Sequence, residues 1–187
     1  MKRGLLPVVL VLLAAAVAVP VRAAVDDDKP RVVAEAREFR DYRLFWLGER
    51  FRSHDLTYAS REGRKGQSTF TFIYGDCEAE SDSGCAPPYQ IQNYHACARN
   101  LGDYGAGIHP MRRKPIRGAA VYEFGDGSNF DRIEVYTGRT MLAISAPTFA
   151  KARRVVRRLE RINGELGPDD PLGPPARGAV RGKLRCP

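Results

Sequence analysis

The stretch 119–164 constrains this chain more than any other, because it reads as three strands joined by short turns and closed by a helix. Residues 119–124 (Ala-Ala-Val-Tyr-Glu-Phe) are rich in strand formers, and 125–129 (Gly-Asp-Gly-Ser-Asn) are turn residues. Residues 130–136 form the return strand, 137–139 turn again, and 141–145 give a third strand. Pro147 then suits the first turn of a helix. In that helix Phe149, Ala152, Val156, Leu159 and Ile162 share one stripe, and Asn163-Gly164 is a natural stop. Turns this short allow only antiparallel pairing, so the unit is a meander with a helix laid across one face.

The same logic extends upstream. Residues 68–74 alternate, with Phe70, Phe72 and Tyr74 on one side and Thr69, Thr71 and Ile73 on the other. That period of two marks a half-buried strand. Residues 42–47 and 56–60 are further strand candidates, and 89–92 a short one. Asn93 is placed to cap a helical turn that carries Cys97 and ends at Gly102, and 102–115 reads as a long glycine- and proline-marked loop containing Arg112-Arg113-Lys114. Phe45, Trp46, Phe70, Phe72 and Tyr74 are read as core. The expected fold is α+β: an antiparallel sheet of about five or six strands with a C-terminal amphipathic helix on one face.

The start of the chain bears on where this fold is assembled. Lys2 and Arg3 precede an apolar run from Leu5 to Val19, followed by Pro20 and the small-residue site Val21-Arg22-Ala23. This is the layout of a secretory signal peptide cleaved between Ala23 and Ala24. An uncleaved anchor is the alternative, but 15 apolar residues fall short of the roughly 20 needed to span a bilayer. The expected location is therefore secreted or in the extracytoplasmic cell envelope, with no stable membrane span after cleavage. The organisation that follows is a signal peptide over 1–23, an acidic flexible spacer over 24–36 that leads into a short helix over 32–39, and a single α+β domain over 37–166. A Pro/Gly-rich tail over 167–187, without a core of its own, is tied back through Cys186.

The cysteines agree with export. Cys77, Cys85, Cys97 and Cys186 all follow the leader, and an even count outside the cytoplasm argues for two disulfides. Cys77 and Cys85 flank a short acidic loop and are expected to pair locally, leaving Cys97 with Cys186. The chain-entropy model gives about 2.5 kcal/mol for the small loop and about 4.6 kcal/mol for the large one.

Charge narrows the partners. The full chain carries +8, of which Lys2, Arg3 and Arg22 belong to the leader. Arginine dominates the rest without a face of interleaved basic and aromatic residues, so no specific nucleic-acid binding is expected. The densest positive face is Arg153, Arg154, Arg157, Arg158 and Arg161 on the C-terminal helix, offset only by Glu160. Such a face attracts an anionic polymer, lipid headgroups or an acidic protein.

Catalytic signals are thin. Ser83 has His54 upstream by 29 positions but lies inside the nine-residue cysteine loop, and no Gly-x-Ser-x-Gly elbow occurs. His95 lies two residues from Cys97, a thiol–imidazole pairing that a disulfide would remove. His54, His95 and His109 have no metal-ligand spacing, and Asp76, Glu78, Glu80, Asp82, Asp126 and Asp131 lack the placement of a calcium loop. No metal or other cofactor is expected. The function read from the sequence is an exported, non-catalytic envelope or extracellular module acting by binding to an anionic surface or partner. The competing class is an extracytoplasmic hydrolase whose histidine and carboxylate are brought together by loops. Intact-mass measurement of the exported product should give a chain beginning at Ala24 with no free thiol; retention of residues 1–23 would mean an anchor.

Overall fold

The computed structural model describes residues 28–64, 67–76, 87–104, 110–124 and 131–186. The expected signal peptide, the expected Cys77–Cys85 disulfide, Ser83, His109 and the expected 125–129 turn lie outside the described residues.

The chain begins with a helix, α1 (Asp28–Glu38), and continues through β1 (Phe45–Trp46), β2 (Arg50–Phe51), β3 (His54–Glu62), β4 (Thr69–Tyr74) and β5 (Tyr89–His95). It then runs through β6 (Met111–Ile116), β7 (Ala119–Phe124), β8 (Asp131–Thr137), β9 (Thr140–Ala146), α2 (Phe149–Arg158) and β10 (Glu160–Arg161). Eight strands form one antiparallel sheet in the order β2-β3-β4-β5-β9-β8-β7-β6. Two four-strand meanders, β2–β5 and β6–β9, are therefore joined through the β5–β9 pair. β1 and β10 make a separate two-stranded ladder, Phe45 opposite Arg161 and Trp46 opposite Glu160.

The register explains the core. Ala59, Phe72, Ile91, Ile144, Ile133 and Glu123 lie opposite one another across successive strands, so their side chains share a face. On that face Phe70, Phe72 and Tyr74 are fully buried with Val121, Val135 and Leu142. α1 adds Val32, Val33 and Ala36, and α2 adds Ala152, Val155 and Val156, to the same apolar cluster. The alternation in β4 is thus a true inside–outside pattern, and all five aromatics read as core are buried.

Between the helices runs an irregular strap, residues 39–48, on the same face. Phe39, Tyr42 and 44–47 are all buried, yet only Phe45 and Trp46 are laddered. A buried backbone must be satisfied, and here side chains do it. The Asn93 amide pairs with the Phe45 backbone, accepting its N–H at 2.7 Å and donating to its carbonyl at 3.0 Å. Asn163 accepts from Leu44 N–H at 3.0 Å and donates to the carbonyls of Phe39 and Tyr42 at 2.9 and 2.7 Å. The Tyr74 hydroxyl accepts from Leu47 N–H at 2.8 Å, and Thr140 donates to the Arg43 carbonyl at 2.7 Å.

Four expectations are corrected. The sheet has eight strands rather than five or six, and one of the additional strands is β6, in the stretch expected as loop: Arg112-Arg113-Lys114 carries no apolar alternation because β6 is an exposed sheet edge, where Pro115 is tolerated. Asn93 caps no helix; it is an inward residue of β5. Residues 28–36, expected in the spacer, belong to α1, whose apolar positions are docked on the core. α2 stops at Arg158, not near Gly164. Leu159 is extended, and Arg117 draws the segment off the helix by donating to the carbonyls of Leu159, Gly167 and Asp170 at 2.7, 2.7 and 2.6 Å. Leu159 and Ile162 are still buried, from an extended segment. Arg117 and Gly118 both have positive φ, 50° and 84°, the backbone of a tight two-residue hairpin turn.

The tail covers part of the opposite sheet face. Cys97 and Cys186 are disulfide-bonded, as expected from the sequence, with Cα atoms 5.2 Å apart. Gly138 N–H donates to Pro174 and Ala176 N–H to Gly138, while Ala179 is buried against Ala96, Tyr136, Met141 and Ala143.

Replacing Asn163 by Ala leaves the Leu44 N–H and Tyr42 carbonyl buried without these partners, at a cost of about 2–4 kcal/mol. Urea unfolding should show a clearly lower midpoint for Asn163→Ala, while Arg154→Gln stays within about 0.5 kcal/mol of the parent.

Candidate anion-binding site

The strap leaves the core at Leu47 and leads, through the left-handed Gly48 (φ 77°), into the short β2–β3 hairpin. Its tip is turned by Arg52, itself left-handed at φ 58°. This hairpin faces the C-terminal end of α2, and a cavity of about 400 Å³ lies between them. Leu47, Phe51 and Pro168 supply apolar lining. Among the described residues five arginines complete it, Arg50 and Arg52 from the hairpin and Arg154, Arg157 and Arg158 from α2, with Glu160 the one lining carboxylate.

Helical spacing explains the α2 contribution. Arg154, Arg157 and Arg158 are i, i+3 and i+4, neighbours on one surface, while Val155 and Val156 point inward. Arg157 and Arg158 sit in the last turn, where the helix carbonyls favour positive charge. None of these three side chains makes a hydrogen bond or ion pair among the described residues. Arg50 is partly engaged: it reaches Asp55 at 3.4 Å and donates to the Arg52 carbonyl at 3.2 Å. The Arg52 guanidinium lies 5.8 Å from the Phe51 ring centre, a cation–π distance.

The five arginines singled out in the sequence therefore separate. Arg154, Arg157 and Arg158 line the cavity. Arg153 is ion-paired with the buried Glu123, which Arg113 also contacts. Arg161 donates to Asn163 at 3.2 Å, and burial together with Arg43 and Arg40 pushes its pKa down. Arg50 and Arg52 had no signal in the sequence, because only the tertiary docking of the hairpin on α2 brings them into the group.

A second charged cluster lies on the opposite sheet face. Glu134, fully buried, accepts from the Tyr104 hydroxyl and, at 2.9 Å, from the Tyr136 hydroxyl. Arg99 and Arg132 approach it at 3.7 and 3.8 Å. Their guanidinium groups alternate with rings: Arg99 lies 4.9 Å from Tyr94, Arg132 lies 4.8 Å from Phe124, and Tyr104 lies between the two at 6.0 and 5.4 Å. Burial and Glu134 push the Tyr104 and Tyr136 hydroxyl pKa values up. A carboxylate with no exposed surface and both oxygens accepting is a structural knot, holding Arg99 and Tyr104 to the sheet.

The described histidines stay apart from the cavity. His54 packs 5.5 Å from the Tyr89 ring. His95 is buried 5.6 Å from Tyr42; its Nδ1 accepts from Cys97 N–H at 3.1 Å, and its Nε2 has no partner. His95, Cys97 and Cys186 have their candidate ligand atoms within 4.8 Å of one another, but the two sulfurs are bonded to each other and neither is a thiolate. The same bond leaves no Cys97 nucleophile. Of the carboxylates considered for calcium, Asp131 accepts from the first amide of α2, Phe149 N–H, at 2.6 Å, and Asp76 is exposed, while Glu78, Glu80, Asp82 and Asp126 lie outside the described residues. No described helix is long and apolar enough to cross a membrane. Comparison with protein-family models, curated protein sequences and solved structures finds no match.

Burial lowers the His95 pKa below its ordinary 6.5, with Arg139 adding to the shift. The unfolded chain then binds a proton that the native chain refuses, so this contribution is full above about pH 6.5 and is lost as pH falls. Denaturant titrations from about pH 7 to about pH 5 should show stability falling with acid, and His95→Asn should flatten that slope; an unchanged slope would refute the assignment.

Proposed function

We propose that this chain is an exported, non-catalytic module of the cell envelope or extracellular medium that binds an anionic surface or partner through the arginine-lined cavity. The observation that carries the reading is that five arginines line one concavity, and the side chains of three of them, Arg154, Arg157 and Arg158, have no partner among the described residues. Like charges held together with one lining carboxylate raise the local potential and draw in anions. Elsewhere the chain neutralises its buried acids internally: Arg113 and Arg153 serve Glu123, and Arg99 and Arg132 serve Glu134. The cavity arginines are thus a surplus that a ligand can satisfy.

Export is supported by the leader pattern and by the Cys97–Cys186 disulfide, a bond that persists in oxidising compartments. A hydrolase would place a histidine beside a carboxylate and a hydroxyl. His54 and His95 are not in the cavity lining, which favours the binding reading.

Co-sedimentation with phosphatidylglycerol vesicles tests this. Binding should be present at about 50 mM salt and largely lost at about 500 mM, where the Debye length is much shorter. Arg154→Gln/Arg157→Gln/Arg158→Gln should abolish most of it. Arg177→Gln/Arg181→Gln/Arg185→Gln, which removes equal charge from the tail, should retain it. Equal binding by the parent and the α2 variant would overturn the proposal.

A further inference from the structure

Resting on that reading, we infer that the ligand of the cavity is a phosphate ester joined to an apolar group. Three features point to this class. The first is charge. Arg154, Arg157 and Arg158 are unpartnered, whereas Arg50 already meets Asp55 and Glu160 offsets one further charge. A phosphate monoester, carrying nearly two negative charges at neutral pH, matches this surplus better than a monoanionic carboxylate or sulfate ester.

The second is donor geometry. Guanidinium groups present paired N–H donors in a plane, which suits phosphate oxygens bidentately. α2 supplies three from adjacent positions, and the hairpin supplies two from the other wall. A tetrahedral head between two walls can take donors from both.

The third is the lining. Leu47, Phe51 and Pro168 give the cavity an apolar side. A volume of about 400 Å³ is within the range of small-molecule sites and exceeds what a bare inorganic ion fills. An ester whose apolar group lies against these residues uses both halves of the cavity. Pro168 is held there by the Arg117 clamp on Leu159, Gly167 and Asp170, so the apolar wall is preformed.

Phosphatidic acid, the membrane lipid whose head is a phosphate monoester, and a soluble alkyl or aryl phosphate share this chemistry. Calorimetric titration of the chain with methyl phosphate, hexyl phosphate and hexyl sulfate tests the class without altering the core residues Leu47 and Phe51. Hexyl phosphate should bind at least about tenfold more tightly than methyl phosphate, since several methylenes leave water. It should also bind several-fold more tightly than hexyl sulfate, and the Arg154→Gln/Arg157→Gln/Arg158→Gln variant should lose both phosphates. Equal affinity for methyl and hexyl phosphate, or for hexyl sulfate and hexyl phosphate, would overturn the inference while leaving anion binding intact. Absence of binding by all three, together with no vesicle binding, would remove both. Vesicles of phosphatidic acid, compared with phosphatidylglycerol vesicles of matched surface charge, separate the sources. Stronger binding to the former assigns a lipid headgroup, and hexyl phosphate binding without that preference assigns a soluble ester; either result supports the inferred class.

Discussion

The fold depends on satisfying the backbone of one buried, mostly unladdered segment. Residues 39–48 lie on the sheet between two helices, where an unpaired N–H or carbonyl would be costly. Asn93, Asn163, Tyr74 and Thr140 take the place of a neighbouring strand, each from a different part of the chain. Asn93 imitates a strand neighbour by pairing with both the N–H and the carbonyl of Phe45. Asn163 ties three strap residues to the segment that follows α2. Because the strap continues into Leu47 and the β2–β3 hairpin, these amides also set where Arg50 and Arg52 stand relative to α2.

Arginine has two roles in this molecule. Arg99, Arg113, Arg132, Arg153 and Arg117 are structural, since their guanidinium groups meet buried carboxylates or backbone carbonyls. Removing one partner of such a group would strand a buried charge or acceptor, which is far more destabilising than loss of an exposed ion pair. Arg154, Arg157 and Arg158 carry no such duty. Among the described residues the arginines thus include a set that neutralises the interior and a group on α2 without partners.

What the sequence revealed was governed by local pattern. The meander, the inside–outside alternation of β4 and the aromatic core follow from periodicity, and the Cys97–Cys186 pairing follows from cysteine spacing and the even cysteine count. The edge strand β6 was hidden because an exposed edge has no apolar face to display. The end of α2 was hidden because apolar Leu159 and Ile162 fit a helical stripe, while a long-range contact from Arg117 decides otherwise. Of the cavity, the helical arginines were legible from their spacing. Arg50 and Arg52 were not, because nothing local links a two-residue strand to a helix a hundred residues away. The strap was equally opaque, since buried asparagines at 93 and 163 resemble ordinary turn and cap residues until their partners are known.

The most direct test of this account is native-state hydrogen exchange at the amides of Leu44, Phe45 and Leu47, whose acceptors are the side chains of Asn163, Asn93 and Tyr74. If those side chains complete the core, the three amides should be protected to about the same degree as amides in the central strands β5 and β9. Rapid exchange at the three, with β5 and β9 still protected, would show the strap opening independently and would contradict the account.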